Sequence, residues 1–185
     1  MEAVQHLTTA ELEAGLTHIR QSPKNQGLLE LIVCRPQQGE REVLPEGTLD
    51  TIKGLVGDTW HSRGSSKTPD GSAHPEFQIT IMNSRCIALL ARDKNRWALS
   101  GDQLFIDLDL SLENLPPGTR LALGSAILEI TAPPHTGCKK FIARFGDDAM
   151  RFVNSPIGRQ LNLRGIHAKV MQSGVARSGD SAIKL

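Results

Sequence analysis

Residues 120–146, which read RLALGSAILEITAPPHTGCKKFIARFG, carry the clearest structural signals in the chain. Apolar residues recur on both sides of Gly124-Ser125, which predicts two strands joined by a two-residue turn. Pro133-Pro134 ends the second strand, and apolar residues return at helical spacing from Cys138 until Gly146, a natural helix end. The segment therefore predicts a β-hairpin, a rigid turn and a short helix that begins beside a cysteine.

The rest of the chain alternates short strands and short helices without a strand–helix–strand repeat. Thr8 and Glu11 form a capping box, which predicts a helix that ends before Pro23. Residues 49–60 and 62–75 read as irregular loops, and the second is a candidate mobile loop. Further strands are predicted at residues 28–34, 42–44, 77–82, 104–110 (half-exposed), 165–171 and 175–183, and further helices at residues 84–91, 147–153 and from Ser155-Pro156 onward.

These elements predict an α+β protein that is mainly β. We expect a barrel-like sheet with short peripheral helices, because many short strands must bury one apolar face without parallel crossovers. A length of 185 residues suits a single domain. We place that domain at residues 28–185 and an N-terminal helical extension at residues 1–27.

The overall composition argues against several classes of partner. The formal net charge is +1 and aromatic residues make up 4%, so we expect neither nucleic acid nor membrane partners. The start of the chain does not read as a leader, and its apolar runs are far shorter than the ~20 residues that span a bilayer. Three widely separated cysteines suit a reducing compartment. We therefore expect a cytoplasmic protein.

Basic side chains are concentrated in the last quarter of the chain. After Cys138 they are Lys139, Lys140, Arg144, Arg151, Arg159, Arg164, Lys169, Arg177 and Lys184. A solvated basic face and a local site for a small anion or phosphate both explain this pattern. Arg144, Arg151, Arg159 and Arg164 are all candidate phosphate ligands, because an arginine fork matches phosphate geometry.

Cys138 differs from the other two cysteines in its surroundings. Cys34 and Cys86 lie inside apolar runs and are predicted to be core residues. Cys138 lies between a glycine and a lysine, where a helix start and the cations Lys139, Lys140 and His135 would favour its thiolate. A thiolate is a soft metal ligand and also the form that carries persulfide sulfur. A functional thiol and a small structural cysteine both stay open from this chemistry alone.

The same segment resembles a known family. Residues 124–131, the Pro-rich turn, Cys138 and residues 140–146 are similar to the signature stretch of MOSC domains, named for the C-terminal part of molybdenum-cofactor sulfurases. Residues 54–58 (GLVGD) resemble the glycine-aspartate loop of that family, and residues 164–170 (RGIHAKV) resemble its closing segment. The resemblance extends from about Leu28 to Ile183 and is closest to stand-alone bacterial members. It implies a closed β-barrel with the cysteine in a pocket.

The resemblance also implies roles for individual residues. Cys138 would be the catalytic residue, either as the molybdenum ligand of a bound molybdenum cofactor (molybdopterin) or as a sulfur-carrying thiol. By the same resemblance Lys140, Arg144, Arg164, His61 and Asp58 are the candidate cofactor-binding residues. The chain departs from the family at residues 101–104, which read GDQL where many members have GENL, so we predict only a turn position for Asp102.

Three functions remain open at this stage. The first is a molybdenum-dependent reductase of N-hydroxylated compounds, which needs an electron-donor protein. The second is a persulfide sulfur-transfer module that acts with a separate desulfurase, and pyridoxal phosphate would then belong to that partner. The third is a non-catalytic module that binds a cofactor or another protein. The first two would make the protein an enzyme, and the first also implies a small-molecule substrate.

Overall fold

The computed structural model describes residues 5–185. Its strands are β1 (Gln26–Cys34), β2 (Glu42–Leu44), β3 (Glu46–Asp50), β4 (Gly54–Leu55), β5 (Ile79–Asn83), β6 (Leu104–Asp107), β7 (Arg120–Leu123), β8 (Ala126–Ile130), β9 (Ile166–Gln172), β10 (Gly174–Arg177) and β11 (Ser181–Lys184). Its helices are α1 (Thr9–Ala14), α2 (Leu16–Arg20), α3 (Trp60–Arg63), α4 (Ser84–Ala91), α5 (Lys139–Phe145), α6 (Asp147–Asn154) and α7 (Pro156–Gln160), with 3₁₀ turns at Pro75–Phe77 and Lys94–Ser100. No helix within residues 5–185 is long and apolar enough to cross a membrane.

Seven of the strands close into a barrel. Their order is β11-β7-β8-β9-β5-β6-β1, and β1 pairs back onto β11. Every neighbouring pair is antiparallel except β5 and β6, which run parallel. Closure leaves the barrel strands without a free edge along which another chain could pair. The predicted fold class, mainly β with short peripheral helices on a closed barrel, is confirmed.

The predicted hairpin forms as β7 and β8, with Leu123 paired to Ala126 across the turn. Gly124 has a φ of +57°, and a Cβ there would lie 2.1 Å from the carbonyl oxygen of Val175. Only glycine therefore allows the turn to lie against β10, where the amide of Ser125 donates to that same carbonyl at 3.0 Å. The hairpin fixes the point from which β8 leads into the Pro-rich turn.

Strands buried on both faces explain why some sequence patterns were hard to interpret. In β1, Ile32 faces the barrel interior, whereas Leu31 and Val33 pack against the helices outside. In β6, Leu104 and Phe105 are likewise buried on opposite faces. The prediction of a half-exposed strand over residues 104–110 is therefore wrong, because helices cover its outer face.

The N-terminal helices belong to this outer layer. The capping box of α1 is confirmed, because Thr8 Oγ1 accepts from the amide of Glu11 and the Glu11 side chain accepts from the amide of Thr8. Leu12 and Ile19 are buried in the cluster that packs between the helices and the barrel. Residues 1–4 of the predicted extension lie outside the described residues, and its boundary at residue 27 stays a prediction.

Two other predictions need correction. Residues 49–60 are not simply an irregular loop, because β3, β4 and β10 form a small second sheet there. The single strand predicted over residues 175–183 is divided at Gly179, which has a φ of +99°. The chain consequently leaves the small sheet after β10 and enters the barrel as β11. The predicted mobility of residues 62–75 stays a prediction.

Candidate functional site

Cys138 lies at the end of the Pro-rich turn, directly before α5. Its carbonyl accepts the amide of Phe141 at 2.9 Å, while its side chain is exposed and caps no helix amide. Gly137 precedes it, and a Cβ there would lie 2.3 Å from Met150 Sδ, so the turn must pack tightly onto α6. The backbone around Cys138 is therefore fixed on both sides while its thiol faces outward.

The other two cysteines are core residues, as predicted. Cys34 and Cys86 are both buried. Burial raises the pKa of the Cys34 thiol, with the charge of Asp58 adding to the effect, and burial raises the pKa of Cys86 to about 12. Neither is suited to react as a thiolate.

A pocket of about 400 Å³ opens beside Cys138. We name it the Cys138 pocket. Its wall contains six basic side chains from four parts of the fold, and none of its lining residues is acidic in the described part of the chain. The basic residues are Arg35, Arg41, Arg63, Lys140, Arg144 and Arg164. A concentration of positive charge around a single exposed thiol favours an anionic ligand.

Arg35 is held in place by Asp58. Its Nε and Nη2 donate to the two carboxylate oxygens of Asp58 at 2.7 and 2.8 Å, and its Nη1 donates to the Gly101 carbonyl at 2.9 Å. Asp58 also accepts from the amide of Trp60 at 2.8 Å, which ties the start of α3 to the same carboxylate. Asp58 is buried behind Arg35 and positions that guanidinium, rather than lining the pocket itself.

Arg164 is held in the same way by Asp102. Its Nη1 donates to Asp102 Oδ2 at 2.8 Å, and its Nη2 donates to the Ser100 carbonyl at 3.0 Å. The guanidinium lies 5.0 Å from the ring centroid of Phe141, at cation–π distance. The prediction that Asp102 serves only a turn is wrong, because its side chain is fully buried in this ion pair.

The remaining cations of the pocket have no carboxylate within ion-pair distance in residues 5–185. Burial lowers the pKa of Arg41, and the charges of Arg144 and Arg35 lower it further. Burial likewise lowers the pKa of Arg63, and the Arg35 charge adds to the effect. Burial is the larger cause of both shifts and repulsion between neighbouring arginines is the smaller one, so an anion entering the pocket would offset both.

The structure brings together three of the predicted cofactor-binding residues with Cys138, namely Lys140, Arg144 and Arg164. Asp58 lies behind Arg35 and does not line the pocket. His61 is exposed on α3 and does not line the Cys138 pocket, although the next two residues, Ser62 and Arg63, do line it.

Sequence reasoning missed three of the pocket's cations. Arg35 follows directly after the buried strand β1, and an arginine at the end of such a strand is a usable signal for a site. Arg41 and Arg63 lie in turn-rich segments with no local pattern to distinguish them from solvated charges. Their convergence depends on tertiary contacts that the sequence does not display.

A second cavity of about 370 Å³ adjoins the Cys138 pocket, and the two share Arg35, Arg63 and Gly101 in their walls. We name it the histidine pocket, because His74, His135 and His167 all line it. The His135 and His167 ring centroids are 4.5 Å apart. Burial lowers the pKa of both residues, for His135 well below its usual value, and the Arg164 charge lowers both further.

Asp102 connects the two cavities. Its Oδ2 holds Arg164, and its Oδ1 lies 3.4 Å from Nδ1 of His135. Gly165, with a φ of +105°, packs under this pair, since a Cβ there would lie 2.5 Å from the Ile81 carbonyl and 3.2 Å from His135 Nδ1. One buried carboxylate therefore orients a cation of the first pocket and an imidazole of the second.

Comparison with known proteins identifies the fold. No protein-family model matches this chain, and no curated protein matches it. Among solved structures, the YuaD protein from Bacillus subtilis matches with a TM-score of 0.61 and 16% identity, over 85% of this chain and 94% of that one. YiiM from Escherichia coli matches with a TM-score of 0.55 and 16% identity, over 85% of this chain and 69% of that one. YiiM from Geobacillus stearothermophilus gives 0.56 and 13%, over 86% and 75%.

YuaD and YiiM are MOSC-fold proteins, so this chain has a MOSC-like fold. At these identities the likeness concerns the fold alone. The chemistry of the site must be argued from its own residues.

Proposed function

We propose that the Cys138 pocket binds the molybdenum cofactor, an anionic pterin that carries a phosphate, with Cys138 as the protein ligand to the metal. The observation that carries this proposal is one exposed thiol in a pocket lined by six basic and no acidic side chains among the described residues. A pocket of about 400 Å³ lies within the ~300–1,000 Å³ range of small-molecule and cofactor sites.

The donor set fits this cofactor better than it fits a bare metal ion. Residues 5–185 contain no group of three or more His, Cys, Asp or Glu side chains arranged to hold a metal. A metal that arrives with its own dithiolene sulfurs needs fewer protein ligands, and a single soft thiolate suits it. Arg41, Arg63, Lys140 and Arg144 are available for the phosphate because they line the pocket and none of them forms an ion pair with a carboxylate in the described chain.

Each part of the pocket has its own task in this proposal. Arg35 and Arg164 are rigid, since each is anchored by a buried aspartate and a backbone carbonyl. They fix the shape of the pocket, while the unpaired cations supply the attraction for an anion. When bound, the cofactor would supply two-electron redox chemistry, and reduction of an N-hydroxylated compound is the reaction we favour. An electron-donor protein would then be required.

A second function is favoured by the exposure of the thiol. Cys138 makes no capping hydrogen bond and is exposed at the wall of the pocket, so a sulfur donor can reach it. In this alternative a separate desulfurase that uses pyridoxal phosphate loads sulfur onto Cys138, which then passes it on. The basic side chains of the Cys138 pocket would then bind an anionic sulfur acceptor.

The deciding experiment is to express the chain in a host that makes molybdenum cofactor and to measure bound molybdenum and released pterin. We expect near-stoichiometric metal in the wild type, loss of metal in Cys138→Ser, and loss of metal and pterin in Arg41→Gln/Arg63→Gln. The matched control is Arg20→Gln/Arg159→Gln, which removes two exposed arginines outside the pocket and should keep both.

Absence of molybdenum and pterin from the wild type would contradict the cofactor proposal. Cys138 should then be tested for persulfide after incubation with a cysteine desulfurase and cysteine. Sulfur trapped on Cys138 would support the transfer function. If neither ligand is found, a non-catalytic binding module is left.

A further inference from the structure

The histidine pocket has a chemistry of its own that an anionic cofactor in the neighbouring pocket does not use. One side is a series of tilted rings in which His74 lies 4.9 Å from Phe77, Phe77 lies 4.6 Å from His167, and His167 lies 4.5 Å from His135. The first two contacts are edge-to-face, at 75° and 82°. Lys67 Nζ lies 4.4 Å from the Phe77 ring centroid, so a flat molecule would pack against the remaining ring faces and edges of this wall.

The hydrogen-bonding partners of the two inner histidines define their tautomers. His167 Nδ1 lies 3.0 Å from the carbonyl oxygen of Pro133, an acceptor, so Nδ1 must carry the proton. His135 Nδ1 faces the carboxylate oxygen Oδ1 of Asp102 at 3.4 Å, and neither atom has a hydrogen-bond partner in the described residues. The carboxylate therefore draws the proton of His135 to Nδ1 as well. In both rings Nε2 is left as an acceptor.

The Nε2 atoms are free of hydrogen bonds in the described chain and are not sealed inside the protein. Neither makes a hydrogen bond within residues 5–185, and neither is among the polar atoms sealed from solvent without a partner. Burial also lowers the pKa of both imidazoles, so they are neutral near pH 7. The residues that line the pocket thus include two neutral histidines with acceptor nitrogens that are unpaired in the described chain, beside an aromatic wall.

The charges around the histidine pocket limit further which ligands it can bind. Arg35, Arg63 and Lys67 line it, and their positive charge disfavours a cationic ligand. The unpaired Nε2 acceptors favour a ligand that can donate a hydrogen bond to them. The pocket therefore suits a molecule with a donor group that is not a cation.

We propose that the histidine pocket is a second binding site, which takes a small, planar, non-cationic molecule that donates an N–H or O–H hydrogen bond to Nε2 of His135 or His167. Phe77 packs against the face or edge of that molecule. Asp102 is a positioning residue, because it fixes the tautomer of His135 from behind. The site stands without the cofactor, although the shared wall of Arg35, Arg63 and Gly101 would put its ligand beside the Cys138 pocket.

The test uses phenol and toluene, two flat molecules of nearly equal shape of which only phenol has a donor. Full-length protein labelled with ¹⁵N-histidine is titrated with each probe, and the ring nitrogen signals are followed by NMR. We expect phenol to shift the Nε2 signals of His135 and His167, and toluene to bind at least about tenfold more weakly, since a buried acceptor left unpaired is unfavourable. The exposed His18 should not respond, and His18→Gln serves as the control variant.

Two variants locate the site. Phe77→Leu removes part of the ring wall without touching an acceptor, and we expect it to weaken phenol binding several-fold. His135→Gln removes an acceptor ring and should weaken phenol more than toluene. If His135→Gln does not fold, the wild-type comparison of the two probes and Phe77→Leu still decide the matter.

Equal affinity for phenol and toluene, or phenol shifts confined to other histidines, would overturn the proposal. Neither result depends on molybdenum, because the titration is made on protein without the cofactor. A protein that carries molybdenum but discriminates poorly between the probes would lose this inference and keep the proposed function. The reverse combination would keep the inference alone.

Discussion

The two adjoining pockets differ in how their charge is balanced. The Cys138 pocket gathers six cations and leaves four of them without a carboxylate partner in the described chain, whereas the two inner histidines of the histidine pocket are neutral because they are buried. Yet both depend on one buried group, since the oxygens of Asp102 face Arg164 on one side and His135 on the other. The same carboxylate can therefore support a site for an anion and a site with hydrogen-bond acceptors, because it acts through different partners.

The largest expected effect follows from removing the Asp102 carboxylate, on which both pockets depend. Asp102→Ala leaves Arg164 as a buried charge without its ion pair, and breaking such a pair typically costs about 3–5 kcal/mol. We expect a fall of that size in the free energy of unfolding, measured by urea denaturation. The double variant Asp102→Ala/Arg164→Leu should recover much of the loss. A fall below about 1 kcal/mol in the single variant would show that Asp102 does not anchor the site.

Removing unpaired cations should have the opposite effect on stability. Arg41→Gln/Arg63→Gln relieves repulsion in the Cys138 pocket, so we expect the free energy of unfolding to stay equal or to rise by up to about 1 kcal/mol. Affinity for inorganic phosphate should fall at least about tenfold, and the stability gain should shrink at high salt. Calorimetric titration and thermal unfolding at two salt concentrations measure both. A clear loss of stability would mean that these arginines are structural.

At acidic pH the free energy of unfolding should fall mainly because of the two inner histidines of the histidine pocket. The pKa values of His135 and His167 are lowered by folding, so below about pH 6.5 the unfolded chain binds more protons than the folded one. The stability contributed by neutral histidines is therefore fully present above that pH and is lost as the pH falls. The slope is at most about 1.4 kcal/mol per pH unit for each histidine. The charged groups involved are Asp102, Arg164, Arg35 and Lys67.

Urea denaturation at several pH values between 5 and 8 measures this slope. His135→Gln should flatten the slope, whereas the exposed His18→Gln should leave it unchanged. Equal slopes in the wild type and His135→Gln would contradict the assignment of a neutral, buried imidazole.

How much of the fold and of the candidate site could be predicted from the sequence depends on how far apart the interacting residues lie along the chain. The hairpin around Gly124 and the helix after Cys138 follow from neighbouring residues, and both were predicted correctly. Asp102 was misjudged because its partner Arg164 lies 62 residues away, so no local pattern reveals the pair. The alternation in residues 104–107 was misread for a related reason, since helices from distant parts of the chain cover the outer face of Phe105.

The histidine pocket was missed on the same grounds. His135 lies in the Pro-rich turn and His167 in β9, and each reads alone as an ordinary polar residue. Their meeting follows from the antiparallel pairing of β8 with β9, which brings the turn after β8 over the start of β9. Closure itself could be expected from the strand pattern, but the pairing order that decides such neighbours could not.

The smallest expected effect is a difference between Lys140 and His61, which were both predicted from the sequence to lie in the same site. Lys140 lines the Cys138 pocket, whereas His61 is exposed on α3 and is not part of its wall. Both side chains are exposed, so neither Lys140→Ala nor His61→Ala should change the free energy of unfolding by more than about 0.5 kcal/mol. Phosphate affinity should fall a few-fold in Lys140→Ala and stay unchanged in His61→Ala, as measured by calorimetric titration. A matching loss in His61→Ala would extend the anion site onto α3, because it would mean that the imidazole reaches the ligand from the rim.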